Sequence, residues 1–164
     1  MNRRLIGNAV LFQIGWAACI FGARHPAWLL LALGCLALHV AWAPVRIREC
    51  RQLLKIAACG WTLDSLLLNL GVFDFGEPRW VLPGWLAMLW LLFASTLRQS
   101  LAWTASRLWL AALVGALGGP LSYYAGARLA DVGLPYGLWP SLTLLALLWA
   151  LLLPALHRVA RSTT

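Results

Sequence analysis

Asp64, inside Gly60-Trp61-Thr62-Leu63-Asp64-Ser65, is an acid surrounded by apolar residues. If the run from Leu54 is helical, Asp64 lies roughly 15 Å along it, near the midplane of a bilayer. An acid at that depth costs about 2.5–3.5 kcal/mol on insertion scales, so it must face other helices. Ala57, Gly60, Asp64 and Gly71 share one stripe of small residues suited to close helix packing. Two kinds of chemistry fit such a carboxyl: a proton or substrate site, or a strut that hydrogen-bonds neighbouring helices. Gln13 reaches a similar depth, roughly 12 Å along the first run, and is the expected partner of Asp64. Asn69 and Ser122 complete the expected intramembrane polar site, Asn69 with the character of a helix-packing amide.

A second polar group comprises Asn8, His39, Lys55, Ser95, Thr96 and Arg98. These residues come from four apolar runs but share one membrane depth, at the cytoplasmic ends. Together they would suit a phosphate headgroup; singly, the histidine reads as an interface residue and the cations as snorkelling side chains. A third feature is the stretch Gly115-Ala116-Leu117-Gly118-Gly119-Pro120. Gly115 and Gly119 make a G-x-x-x-G surface that Ser122 and Gly126 continue, which suits close packing on another helix. Pro120 falls in mid-run, removes a helical hydrogen bond and is expected to kink the helix. Neither H-E-x-x-H nor G-x-S-x-G nor a phosphate-binding glycine loop is present, and Cys19, Cys35, Cys50 and Cys59 form no metal-ligand spacing. No metal or cofactor is expected, and the sequence leans away from an enzyme.

The elements that must position these residues are membrane helices. Of 164 residues, 62% are hydrophobic and 11% charged, against roughly 25% charged in ordinary soluble domains. The predicted fold class is all-α, an integral bundle of six transmembrane helices in one domain spanning 1–164. The apolar runs cover about 5–22, 27–43, 54–73, 81–97, 108–127 and 138–156. Pro26, Pro44, Pro78 and Pro135 mark breaks between them. The net charge of +8 reads as topology and lipid-phosphate contact, so nucleic acid is not expected as a partner. With the N-terminus inside, ten cations fall on the cytoplasmic side: Arg3, Arg4, Arg46, Arg48, Arg51, Lys55, Arg98, Arg107, Arg158 and Arg161. Only Arg24, Arg79 and Arg128 fall outside, a bias that predicts both termini cytoplasmic. Asn2, Arg3 and Arg4 ahead of an apolar run look like a signal peptide. Yet Trp16 stands where the lipoprotein box at Cys19 would want an aliphatic residue, and a second apolar run follows at once, so an uncleaved first helix is expected.

Several of these residues also carry a family resemblance. Asn8, Gln13 and Trp16, then Gly60 and Asp64, then Pro83, Trp85, Trp90 and Phe93-Ala94-Ser95-Thr96-Leu97, then Gly119-Pro120, Tyr123 and Gly126 resemble a family of small bacterial inner-membrane proteins known only as a domain of unknown function. The resemblance spans nearly the whole chain. It implies a multi-pass protein of the bacterial inner (plasma) membrane and a link with lipid-modifying methyltransferases. Three functions follow as expectations. The first is a lipid-related membrane partner or anchor for a peripheral lipid-modifying enzyme, with membrane lipids or a second copy of the chain as further partners. The second is a small proton-coupled transporter using Asp64, and the third a lipid-active membrane enzyme.

Overall fold

A computed structural model of the chain describes residues 3–161. Asn2 and the side chain of Arg3, read above as N-terminal topology signals, lie outside the described residues. The chain folds as α1 (Arg3–Gly22), α2 (Trp28–Trp42), α3 (Arg46–Asn69), α4 (Gly84–Thr96), α5 (Leu108–Ala130) and α6 (Leu138–Arg161), with a 3₁₀ turn at Ala102–Thr104.

Local chemistry sets the ends. Ala43, the residue before Pro44, is extended and closes α2. Pro83 caps the start of α4, two residues beyond the expected start at Val81, because the residue before a proline disfavours helix. Asp131 ends α5 in the left-handed conformation at φ 62°. The largest difference from the sequence reading is in α3. It begins at Arg46, not near Leu54, and ends at Asn69, before the expected Phe73. Its charged first turns are amphipathic: Glu49, Gln52, Leu53, Ile56, Ala57 and Gly60 recur at helical spacing on the buried face.

Three helices are long and apolar enough to cross a membrane: Arg4–Gly22, Leu108–Ala130 and Leu138–Arg161. α2 has 15 residues and α4 has 13, short of the ~20 that a full crossing needs. α3 is long but charged through its first turns. The expectation of six nearly full-length crossings is thus met in length and apolar character by α1, α5 and α6.

The core is built around two stacked indoles. Trp90 of α4 and Trp149 of α6 lie with ring centres 5.5 Å apart and planes 8° from parallel. A glycine lies close against each ring. A Cβ added at Gly60 of α3 would come within 1.9 Å of the Trp90 ring, and one added at Gly119 of α5 within 2.3 Å of the Trp149 ring. The contacts Gly60–Trp90, Trp90–Trp149 and Trp149–Gly119 thus tie α3, α4, α6 and α5 together. Outside these contacts, α1 and α2 pack against α4 through Ala18, Cys19, Ala32, Cys35 and Leu92. Beyond the α3 and α5 ends, Asp74 and Gly133 exchange backbone hydrogen bonds of 3.0 and 2.7 Å, pinning the two connecting loops together.

Candidate functional site

Asp64 is buried, 1% exposed, on the α3 face that carries Gly60 and Leu67. Its partners come from other helices. Trp90 Nε1 donates to Oδ2 at 2.6 Å, and the Tyr123 hydroxyl donates to Oδ1 at 2.6 Å. The absent side chain at Gly60 lets the Trp90 ring lie against α3, which brings its N–H to the carboxyl one turn further on. Tyr123 is held in place by stacking on Phe73, centres 5.4 Å apart. An acid in apolar surroundings is stabilised when both oxygens receive hydrogen bonds. Asp64 has that arrangement, and it links α3, α4 and α5.

The expected polar site is distributed rather than gathered. Gln13 is exposed and makes no hydrogen bond among the described residues; Trp90 and Tyr123 occupy the positions beside Asp64 where it was expected. Asn69 binds the carbonyls of Ser65 and Trp80, fastening the loop after α3. Ser122 accepts a hydrogen bond of 3.1 Å from Trp16 Nε1 and so joins α5 to α1. Tyr123 enters the sequence reading through the family resemblance; depth along its helix could not show that its ring turns inward.

The glycine stripe of α5 is divided between two neighbours. Gly115 and Gly119 meet Trp149 of α6, while Gly126 meets Ile20 of α1 with 3.4 Å of clearance for an added Cβ. Pro120 is buried within an unbroken helical stretch. Gly118, one position off the stripe, faces open space: an added Cβ meets nothing within 4 Å.

That space is a cleft of about 580 Å³ between α1, α4, α5 and α6. α1 and α5 converge towards the Gly22 and Ala130 ends, through Trp16–Ser122, Ile20–Gly126 and an exposed Arg24–Asp131 ion pair of 3.5 Å. Towards their other ends they separate, and Ala9, Phe12 and Gln13 look across the gap at Val114, Gly115 and Gly118. Trp90, Phe93, Tyr123 and Trp149 form the aromatic back wall. Ser100 and Leu101, from the loop after α4, line the end away from Trp16. Asp64 is screened from the cleft by the two aromatic residues that bind it.

The second polar cluster, expected at the cytoplasmic side, is partly assembled. Asn8 is its hub. Its Nδ2 donates to the Ser95 carbonyl at 3.3 Å and lies 3.3 Å from His39 Nδ1, while its Oδ1 accepts from the backbone N–H and hydroxyl of Ser100 at 3.2 and 2.7 Å. A backbone N–H can only donate and a carbonyl only accept, so the amide orientation is fixed. His39 Nδ1 is therefore an acceptor, and Nε2 carries the proton it shares with Glu49 at 2.8 Å. Arg98 donates to Gln52 Oε1 at 2.8 Å. Thr96 turns back to the Phe93 carbonyl, and Lys55 is exposed and apart from the network. Of the groups expected to receive a phosphate, Asn8, His39 and Ser95 bond one another, while Arg98, Thr96 and Lys55 do not join them. Glu49, Gln52 and Ser100 were missed: the first two lie in a charged run that read as a loop, and the third in a true loop whose return to α1 nothing local signals. Among the described residues no group of His, Cys, Asp and Glu could hold a metal ion.

A family model described as "Protein of unknown function (DUF2878)" matches residues 5–155. The chain belongs to that family. No curated protein and no solved structure matches it. The match takes in the whole cleft, the Asp64 centre and the Asn8 hub, so all three lie within the family's domain.

Proposed function

We propose that this chain is a six-span protein of a bacterial inner membrane, with both termini cytoplasmic, that holds a lipid-type amphiphile in the cleft between α1 and α5 and serves a peripheral lipid-modifying enzyme as its membrane partner. The observation that carries this reading is the cleft itself. It is concave, walled by aromatic and aliphatic side chains, dotted with a few hydroxyls and one free amide, and widest where α1 and α5 part. Small-molecule sites have this makeup, and a gap between apolar helices is entered from the lipid. The ten-to-three division of cations supports the orientation.

The proton-coupled transport reading has less support. Both Asp64 oxygens are engaged by donors, and the carboxyl is screened from the cleft by Trp90 and Tyr123. The enzymatic reading lacks an exposed acid–base pair, since His39 and Glu49 are buried and closed off by Asn8. Lipid extraction and mass spectrometry of protein purified in mild detergent test the proposal. The wild type should carry a stoichiometric lipid. Gly118→Leu, which extends a side chain into the open space, should lose it with no loss of thermal stability. Equal lipid retention by both proteins, or none by either, would sink the reading.

A further inference from the structure

We infer that the cleft selects an uncharged lipid, one whose polar end is a hydroxyl beside an ester carbonyl, as in an acylglycerol, and discriminates against phospholipids with ionised headgroups. This rests on the cleft being a lipid site and adds the class of lipid it takes.

The argument starts from what lines the cleft. None of its lining residues is Asp, Glu, Lys, Arg or His. The polar groups there are Gln13, Thr96, Ser100, Ser122 and Tyr123, together with the indoles of Trp16, Trp90 and Trp149. Most of their hydrogens are already committed. Thr96 donates to the Phe93 carbonyl, Ser100 to Asn8, Tyr123 to Asp64 and Trp16 to Ser122. Two groups at the cleft surface keep capacity to donate, while the Trp149 Nε1 behind them is buried without a hydrogen-bond partner. The Gln13 amide makes no hydrogen bond among the described residues, leaving two N–H donors and its oxygen free. The Ser122 hydroxyl accepts from Trp16 and retains its own hydrogen.

Gln13 therefore decides what a bound molecule can present. A primary amide pairs well with a group that both donates and accepts, and a hydroxyl next to a carbonyl is such a group. Depth strengthens the point. Gln13 lies ten residues beyond the first residue of α1, or roughly 15 Å along the helix axis. A phosphate or ammonium there would lose its water with no opposite charge on the walls to replace it, which is prohibitive. A hydroxyl or ester loses much less and regains it from the amide. Asp64, the nearest acid in the core, cannot serve as counter-charge, because Trp90 and Tyr123 stand between it and the cleft.

The test uses the full chain in nanodiscs of unbrominated phosphatidylcholine. Brominated diacylglycerol, brominated phosphatidylglycerol and brominated phosphatidylethanolamine are titrated as quenchers of tryptophan fluorescence, since Trp16, Trp90 and Trp149 line the cleft. Diacylglycerol should quench saturably, at least roughly tenfold more tightly than either phospholipid, the factor that one net hydrogen bond is worth. Gly118→Leu should abolish the saturable component. Gln13→Leu, at an exposed position, should leave the fold intact and weaken diacylglycerol by a similar factor. Phospholipid bound as tightly as diacylglycerol, with Gly118→Leu blocking both, would overturn the selectivity and leave the lipid site standing. Diacylglycerol binding untouched by Gln13→Leu would overturn the assigned polar contact. Quenching by every lipid that is linear and indifferent to Gly118→Leu would overturn the lipid site as well.

Discussion

Asp64 meets two donors of different kinds, and the difference fixes what substitutions will do. The indole N–H of Trp90 can only donate, whereas the hydroxyl of Tyr123 can turn round and accept. Asp64→Asn can therefore keep its oxygen on Trp90 and give its amide hydrogens to Tyr123. The expected loss of stability is about 1 kcal/mol. Asp64→Leu leaves both donors buried and unpaired and should cost about 2–4 kcal/mol, summed over the two groups. Thermal unfolding of the three proteins in one detergent checks the order; Leu equal to Asn would show that the carboxyl does not hold the helices together. Asn8 makes the same kind of test at the other polar centre. Asn8→Ala strands the Ser100 N–H, the Ser95 carbonyl and His39 Nδ1 at once. It should cost about 2–3 kcal/mol and raise the protease sensitivity of the loop 97–107. The importance of Asp64 was legible in the sequence, because an isolated acid in an apolar run must be compensated. Its partners were not: Trp90 and Tyr123 lie 26 and 59 positions away, and an aromatic residue in a membrane helix gives no hint of which way its polar atom points.

The helices are locked by close contacts at particular glycines. Gly60→Ala and Gly119→Ala each press a methyl group against an indole ring at 1.9 and 2.3 Å and force α3 or α5 away from it, so each should cost about 1–3 kcal/mol or more. Gly118→Ala fills empty space in mid-helix and should gain about 0.5–1 kcal/mol through reduced backbone freedom. Opposite signs at adjacent glycines of α5, read by thermal unfolding, would establish that the helix has one packed and one open face. Equal effects would show that the cleft is closed in solution. Helix starts were read well where a strong punctuator stands beside them, as Arg107 before α5 and Gly137 before α6. The start of α3 was misread because two of its buried positions, Glu49 and Gln52, are polar. A search for apolar periodicity skips such positions, although their spacing is helical. The cleft was the least legible feature, since separation of α1 from α5 depends on the angle between helices that share no sequence neighbourhood.

At the scale of the molecule, orientation is the first thing to establish. With the native cysteines replaced, Glu77→Cys in the loop after α3 should react with a membrane-impermeant maleimide in intact cells. Ser106→Cys, in the loop before α5, should react only after the membrane is opened. Both positions are exposed, so a failure to label would reflect location and not burial; reaction of Ser106→Cys in intact cells would reverse the proposed orientation. The brevity of α2 and α4 has a consequence for the membrane itself. Helices of 15 and 13 residues rise only about 20 Å, against a hydrocarbon layer of about 30 Å. α2 turns Leu30, Leu31, Leu33 and Leu38 outward, a face that lipid would meet directly in the proposed six-span arrangement. If α2 crosses the bilayer as proposed, the layer beside it has to thin, and the protein should be most stable in short-chain lipids and segregate from thick, rigid ones. Local thinning would shorten the distance between a lipid headgroup and the midplane, and so would turn the shortest helices of the bundle into a device for deforming the membrane from which, on the proposed reading, the cleft is filled.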